Sequence, residues 1–384
     1  MRVFVTDGHF RKTLALVRSL GEKGVSVTVG ERTFLNTSFF SKYCSNRVVY
    51  PSPRRYPQRF IESLLREIKK HHYDCLFPME EETLLLIAQY RSEISKHTYL
   101  LIPELEKIEF VRDKGKLIQF AETHGIPVPK TYPSFSSPPP SFPIPAVIKP
   151  RISSGSFGIL YVKRREELHP SYQKVHERYP FPLIQEYIPD GGGTFGLSAL
   201  FDEASKVKAA FVHKKLRMYP VQGGPSTLRE SVHHPQIMDI GLSLLKALNW
   251  VGVAMVEFKV DPRDGLPKLM EVNPRFWGSL QLAILSGIDF PYLILRMAKG
   301  EKVEPILHYE IGRRCRWLLL GDILHFLKNP NRFKLNPSFF HFFDPNTSDD
   351  ILSKKDPFAV LGAMATFLTF LYDPEMKRFL ERRG

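Results

Sequence analysis

The 384-residue sequence predicts a mixed chain, α/β in its first part and α+β beyond it, with a mainly helical extension over residues 301–384. Three observations predict this. Strand and helix signals alternate over residues 1–110, as they do in a parallel sheet covered by helices. Two strand-like runs, 251–261 and 268–272, flank a turn-rich link at 262–267, the pattern of an antiparallel hairpin. Residues 357–372 form an almost uninterrupted apolar run, too short for the roughly 20 residues that span a bilayer. The expected divisions are a first domain at 1–110, a second at 111–300 with a small lid subdomain at about 145–190, and the extension.

Within the first domain the sequence reads strand 2–6, helix 9–23, strand 25–29, helix 57–71, strand 74–79, helix 80–90 and strand 99–102. Asp7, Gly8 and His9 sit where dinucleotide-binding folds place a glycine-rich phosphate turn. The GxGxxG pattern is missing, so a structural or carboxylate-binding turn is expected instead. Glu80, Glu81 and Glu82 open a helix, where acidic side chains suit the positive end of its dipole. One of them, at the C-terminal end of a strand, is also placed to face a substrate crevice.

Residues 113–130 describe an amphipathic helix closed by Gly125 and followed by an extended segment. The stretch 133–145, rich in proline and serine, reads as a surface connection. Strand 146–150 follows, with Lys149 inside it, where a buried ammonium needs an anion. Ser153, Ser154, Gly155, Ser156 and Gly158 then form a turn whose backbone N–H groups suit phosphate oxygens. Strand 183–188 frays into Gly191, Gly192 and Gly193. Its free backbone groups suit a purine edge, a plain strand end before a turn being the alternative.

The stretch that organises the rest is Glu271, Val272, Asn273, Pro274 and Arg275. In an extended chain Glu271 and Asn273 face the same way, and two hard oxygen ligands at that spacing suit Mg²⁺. Arg275 adds a planar fork of donors for phosphate. The hairpin brings Glu257 near Glu271 as a further metal ligand.

Together these residues resemble the ATP-grasp superfamily of ATP-dependent carboxylate ligases, which includes biotin carboxylase, D-alanine–D-alanine ligase and the synthetase halves of carbamoyl phosphate synthetase. The resemblance covers roughly residues 1–300. It implies a Rossmann-like domain before the two-subdomain grasp fold. It further implies ATP contacts from Lys114, Lys149, the 153–158 loop, Glu186 and the backbone at Ile188. Glu257, Glu271 and Asn273 fall on its Mg²⁺ ligands, with Mn²⁺ as a possible substitute, and Arg275 and Lys149 on its catalytic cations. The chain departs from several relatives where glycines 191–193 replace an acidic ribose ligand. The implied reaction is phosphorylation of a carboxylate to an acyl phosphate that an amine attacks. A thiol or bicarbonate-derived substrate, or a nucleotide-binding regulator without turnover, are the competing readings.

Lys214, Arg217 and Arg229, between the adenine strand and the metal strands, are candidates for binding the substrate. Helices are expected at 235–248 and 278–299, and Phe276 and Trp277 are expected to pack. The formal charge of +14 is spread along the chain, which suits acidic small molecules and gives no stripe for nucleic acid. Three scattered cysteines and no export signal point to a reducing, cytoplasmic setting. For the apolar run at 357–372, docking on the protein's own core leads. A membrane-surface contact helped by Arg314, Arg316, Lys354 and Lys355, or a homodimer contact, are the alternatives.

Overall fold

The computed structural model describes residues 1–132, 141–153, 157–373 and 375. Its first sheet is fully parallel, in the order Cys44–Val49, Ser26–Glu31, Arg2–Val5, Cys75–Phe77. Alternation along the strand at Arg2–Val5 sorts side chains to the two faces. Val3 and Val5 pack with Leu16, Val17 and Leu20 of helix Arg11–Glu22. Phe4, between them, packs with Phe60, Ile61 and Leu64 of helix Pro57–His71. Strand Cys44–Val49 has no counterpart in the sequence reading, because its exposed Ser45, Asn46 and Arg47 break any apolar run. The strand expected at 99–102 reduces to one bridge between Tyr99 and Cys75.

The largest sheet has seven strands, in the order Pro267–Asn273, Gly252–Val260, Thr194–Phe201, Val207–Met218, Ser226–Ser231, Arg314–Arg316, Thr347–Asp349. All neighbours run antiparallel except the last pair. A third, antiparallel sheet orders Thr131–Tyr132, Leu183–Glu186, Ala146–Lys149, Leu160–Val162. Helix Leu168–Arg178 covers it, with Leu168, Tyr172 and Val175 against Ile148, Val162 and Ile184.

The helix expected at 278–299 is two helices, Leu280–Leu285 and Phe290–Ala298. Gly287, at φ +99°, breaks it, and the Asp289 side chain restarts it by accepting the Tyr292 N–H at 3.1 Å.

Residues after 300 hold more strand than the sequence suggests, since two of the seven strands come from them. Three buried arginine–aspartate pairs pin this part: Arg217–Asp322 at 2.7 Å, Arg229–Asp350 at 2.8 Å and Arg18–Asp356 at 2.8 Å. The apolar run becomes helix Ala359–Tyr372. Ala359 and Ala363 are buried, and a side chain at Gly362 would meet the Thr37 carbonyl, so this helix seats on the 36–40 segment. Phe358, Leu361, Met364 and Leu368 remain exposed. Arg314 and Arg316, expected to help a membrane contact, are instead committed to Glu230 and Asp322. Among the described residues no helix is long and apolar enough to cross a membrane.

Candidate active site

A cavity of about 420 Å³ lies between the small antiparallel sheet and the seven-stranded one. Glu257 and Glu271 enter it from neighbouring strands, where register sets them directly opposite each other. Asn273, two residues on, faces the same way and donates its side-chain N–H to Glu271 Oε1 at 3.2 Å. Three oxygen-bearing side chains thus converge, as the hairpin predicts. Among the described residues no group of three or more His, Cys, Asp or Glu has metal-binding geometry. The set is therefore two carboxylates and one carboxamide, hard donors of the kind that suit Mg²⁺.

Burial raises the Glu257 carboxyl; Lys215, 2.6 Å away, opposes this and the Glu271 charge reinforces it. Burial acts on Glu271 too, but Lys114, Lys215, Asn273 and Lys149 together hold it below the usual carboxylate range. Lys114 Nζ stands 3.6 Å from Glu271. Lys149 is 4% exposed, and burial, with Lys114 beside it, brings its pKa down to about 7. Six cationic and four carboxylate side chains line the cavity, so it favours an anionic occupant.

Asp113 fixes the approach of Lys114. Its carboxylate caps helix Lys114–Thr123 by accepting from Gly115 N and Lys116 N, and it pairs with Arg151 at the start of the serine loop. Ser153 reaches the cavity, whereas Ser154, Gly155 and Ser156 lie outside the described residues. Gly158, at φ +75°, does not line it; a side chain there would strike Tyr179. At the other end Gln185, Glu186, Tyr187 and Ile188 line the cavity. Glu186 is already occupied, accepting the Lys130 N–H at 2.8 Å and pairing with Arg263 at 3.0 Å.

A family model described as "ATP-grasp in the biosynthetic pathway with Ter operon" matches residues 204–318. The biotin carboxylase domain of 2-oxoglutarate carboxylase from Hydrogenobacter thermophilus, solved with MgADP, ADP and bicarbonate, superposes with a TM-score of 0.66 at 14% identity. That match covers 82% of this chain and 73% of the other. L-amino acid ligase from Bacillus licheniformis superposes with a TM-score of 0.59 at 17% identity, over 79% and 77% of the two chains. The chain has the ATP-grasp fold. By sequence it is similar to the D-aspartate ligase of Enterococcus faecium, 25% identical over 261 residues. That match takes in 60% of this ATP-grasp chain and 61% of the ligase, so the chain spans about three fifths of that relative's length.

Three expected substrate residues of the ATP-grasp chain do not reach the cavity. Arg217 and Arg229 are buried in their aspartate pairs, and Lys214 lies over the Phe195 ring. All three sit in sheet strands, and only 219–225 is loop. Strand alternation turns Lys214 away and brings His213 and Lys215 to the cavity. The period-2 pattern around His213 was the available signal. His213 hydrogen-bonds Ser279 at 3.2 Å, and burial lowers its pKa to about 3, so the imidazole is neutral.

Arg275 lines the cavity, bonded to the Phe276 carbonyl at 2.9 Å and 3.8 Å from Glu80. Glu80 also holds Lys12 at 2.7 Å, and Lys12 donates to the Phe276 carbonyl at 3.0 Å. None of the three glutamates lines the cavity itself; Glu80 reaches it only through Arg275, and Glu81 lines a small neighbouring pocket with Lys114, Glu271 and Asn273. Phe276 and Trp277 are buried in the core, as expected.

Proposed function

We propose that this protein is an ATP- and Mg²⁺-dependent ligase that activates a small carboxylate as its acyl phosphate and joins it to an amine. The observation that carries the reading is the convergence of Glu257, Glu271, Asn273, Lys114 and Lys149 on one cavity. The likeness to a D-aspartate ligase and an L-amino acid ligase supports an amino acid among the substrates.

Adenine would lie at Gln185 to Ile188, held by backbone at Ile188 and flanked by Tyr187. Glu186, engaged by Lys130 and Arg263, shapes that end more than it reads the base. Lys114 and Lys149 orient the phosphates, and Ser153 begins the loop over them. Glu257, Glu271 and Asn273 would hold Mg²⁺, which, when bound, offsets the negative charge of the terminal phosphates. Arg275 would meet the transferred phosphoryl group, its fork oriented by the Phe276 carbonyl and Glu80. Such a site works by positioning and charge neutralisation and needs no protein nucleophile.

A phosphate-release screen over D- and L-amino acids and short peptides tests this, with wild type beside Glu271→Ala. Release that requires both an acid and an amine, and falls at least ~100-fold in the variant, is expected. Full turnover in the variant, or no ATP binding by wild type, would overturn the reading.

A further inference from the structure

The segment 323–343 stands apart from the cavity in its chemistry. It holds six phenylalanines, the cations Lys328, Arg332 and Lys334, and neither aspartate nor glutamate. Folding normally hides such aromatics, yet Phe343 is 98% exposed, Phe333 75%, Leu327 59% and Phe340 57%. Large apolar side chains exposed together in one segment mark a contact site more often than idle surface.

The display is ordered. Phe326 stacks on Phe339 with ring centroids 4.4 Å apart, and Phe333 and Phe340 meet its ring edge-on. Arg316, neutralised by Asp322, lies 4.5 Å over the Phe339 ring and donates to its carbonyl at 2.9 Å. Arg217 donates to the Pro337 carbonyl at 2.7 Å. Phe326 and Phe339 are thus packed against the protein, and the other four phenylalanines are held out in water.

We propose that this segment docks on an anionic lipid bilayer, with Leu327, Phe333, Phe340 and Phe343 entering the headgroup–acyl boundary. Lys328, Arg332 and Lys334 would lie at the phosphate level. Charge decides between this occupant and a second copy of the chain. The three cations are exposed and in no ion pair among the described residues, so a two-fold contact would set like charges against each other. An anionic membrane satisfies the same cations, each worth roughly fivefold in partition, and takes up the rings beside them. Because the segment is already ordered, little conformational entropy opposes binding.

Flotation of the full chain with phosphatidylcholine vesicles, with and without about 30 mol% phosphatidylglycerol, tests the proposal. Binding to the anionic vesicles alone, weakened by salt, is expected. Joint replacement Lys328→Gln, Arg332→Gln and Lys334→Gln lowers it roughly 100-fold. Phe333→Ser with Phe343→Ser, at exposed positions that leave the core intact, abolishes it. Leu361→Ser with Leu368→Ser, on the other exposed apolar surface, leaves it unchanged. No flotation, equal binding to neutral vesicles, or loss only in the Leu361/Leu368 variant would overturn the proposal. So would a dimer in solution that the Phe333/Phe343 variant dissociates.

Discussion

Glu257 stands directly opposite Glu271 across the hairpin, and each carboxylate pairs with a different lysine, Lys215 with the first and Lys114 with the second. Two facing carboxylates in a buried site repel unless cations lie between them. Glu271→Gln is therefore predicted to raise the Mg²⁺ concentration for half-maximal activity by more than the roughly 10–100-fold that losing an outer-shell partner costs. A Mg²⁺ titration of ATP turnover checks this, and an unchanged midpoint would count against the metal role.

If the cavity takes ATP as proposed, the low pKa of Lys149, about 7, predicts nucleotide binding that depends on pH. Phosphate prefers the ammonium form, and that form is lost as pH rises through 7. ATP affinity should therefore fall between pH 6 and 8.5, by up to about tenfold per unit, and binding near neutrality should take up a proton. Calorimetry in buffers of different ionisation enthalpy measures the uptake. Lys149→Arg, which stays charged, should flatten the profile.

Glu80 lies between Lys12 and Arg275, which repel each other. Glu80→Gln removes the shared anion, so the Lys12 pKa should drop below its present value of about 8 and Arg275 should lose its tether. A fall in kcat of about 100-fold with little change in the Kd for ADP is expected, the pattern of a misplaced guanidinium. Equal losses in both would point to a folding defect instead.

Asp350 accepts two hydrogen bonds from the fully buried Arg229 and lies 3.5 Å from Arg11. Asp350→Ala would leave that guanidinium without its anion, at a cost of about 3–5 kcal/mol. Urea unfolding gives the value. A loss under about 1 kcal/mol would mean that water or another acid reaches Arg229.

The centre of the site was legible because its chemistry is local. Glu271, Asn273 and Arg275 share one strand and its exit, and the 262–267 turn fixes the partner that carries Glu257. The substrate side was not legible, because it depends on which way a strand faces. Lys214 and Lys215 are equally basic in a sequence, and only the register with Thr194–Phe201 decides that Lys215 enters the cavity. Arg217 and Arg229 looked available for the same reason, since Asp322 and Asp350 lie far away in the chain. The break in the expected 278–299 helix was marked by Gly287 and Asp289, but apolar spacing on both sides masked it.

Arg217, Arg229 and Arg18 meet their aspartates across 105, 121 and 338 residues of chain. On the ribosome, these guanidiniums emerge long before their counter-ions. Until residues 322–356 have left the exit tunnel, closing the strands around them would bury naked charge, which resists burial strongly. The nascent protein should thus stay open at that edge while the Glu257–Glu271 hairpin is already complete, and the outer strands should lock only once those aspartates have emerged.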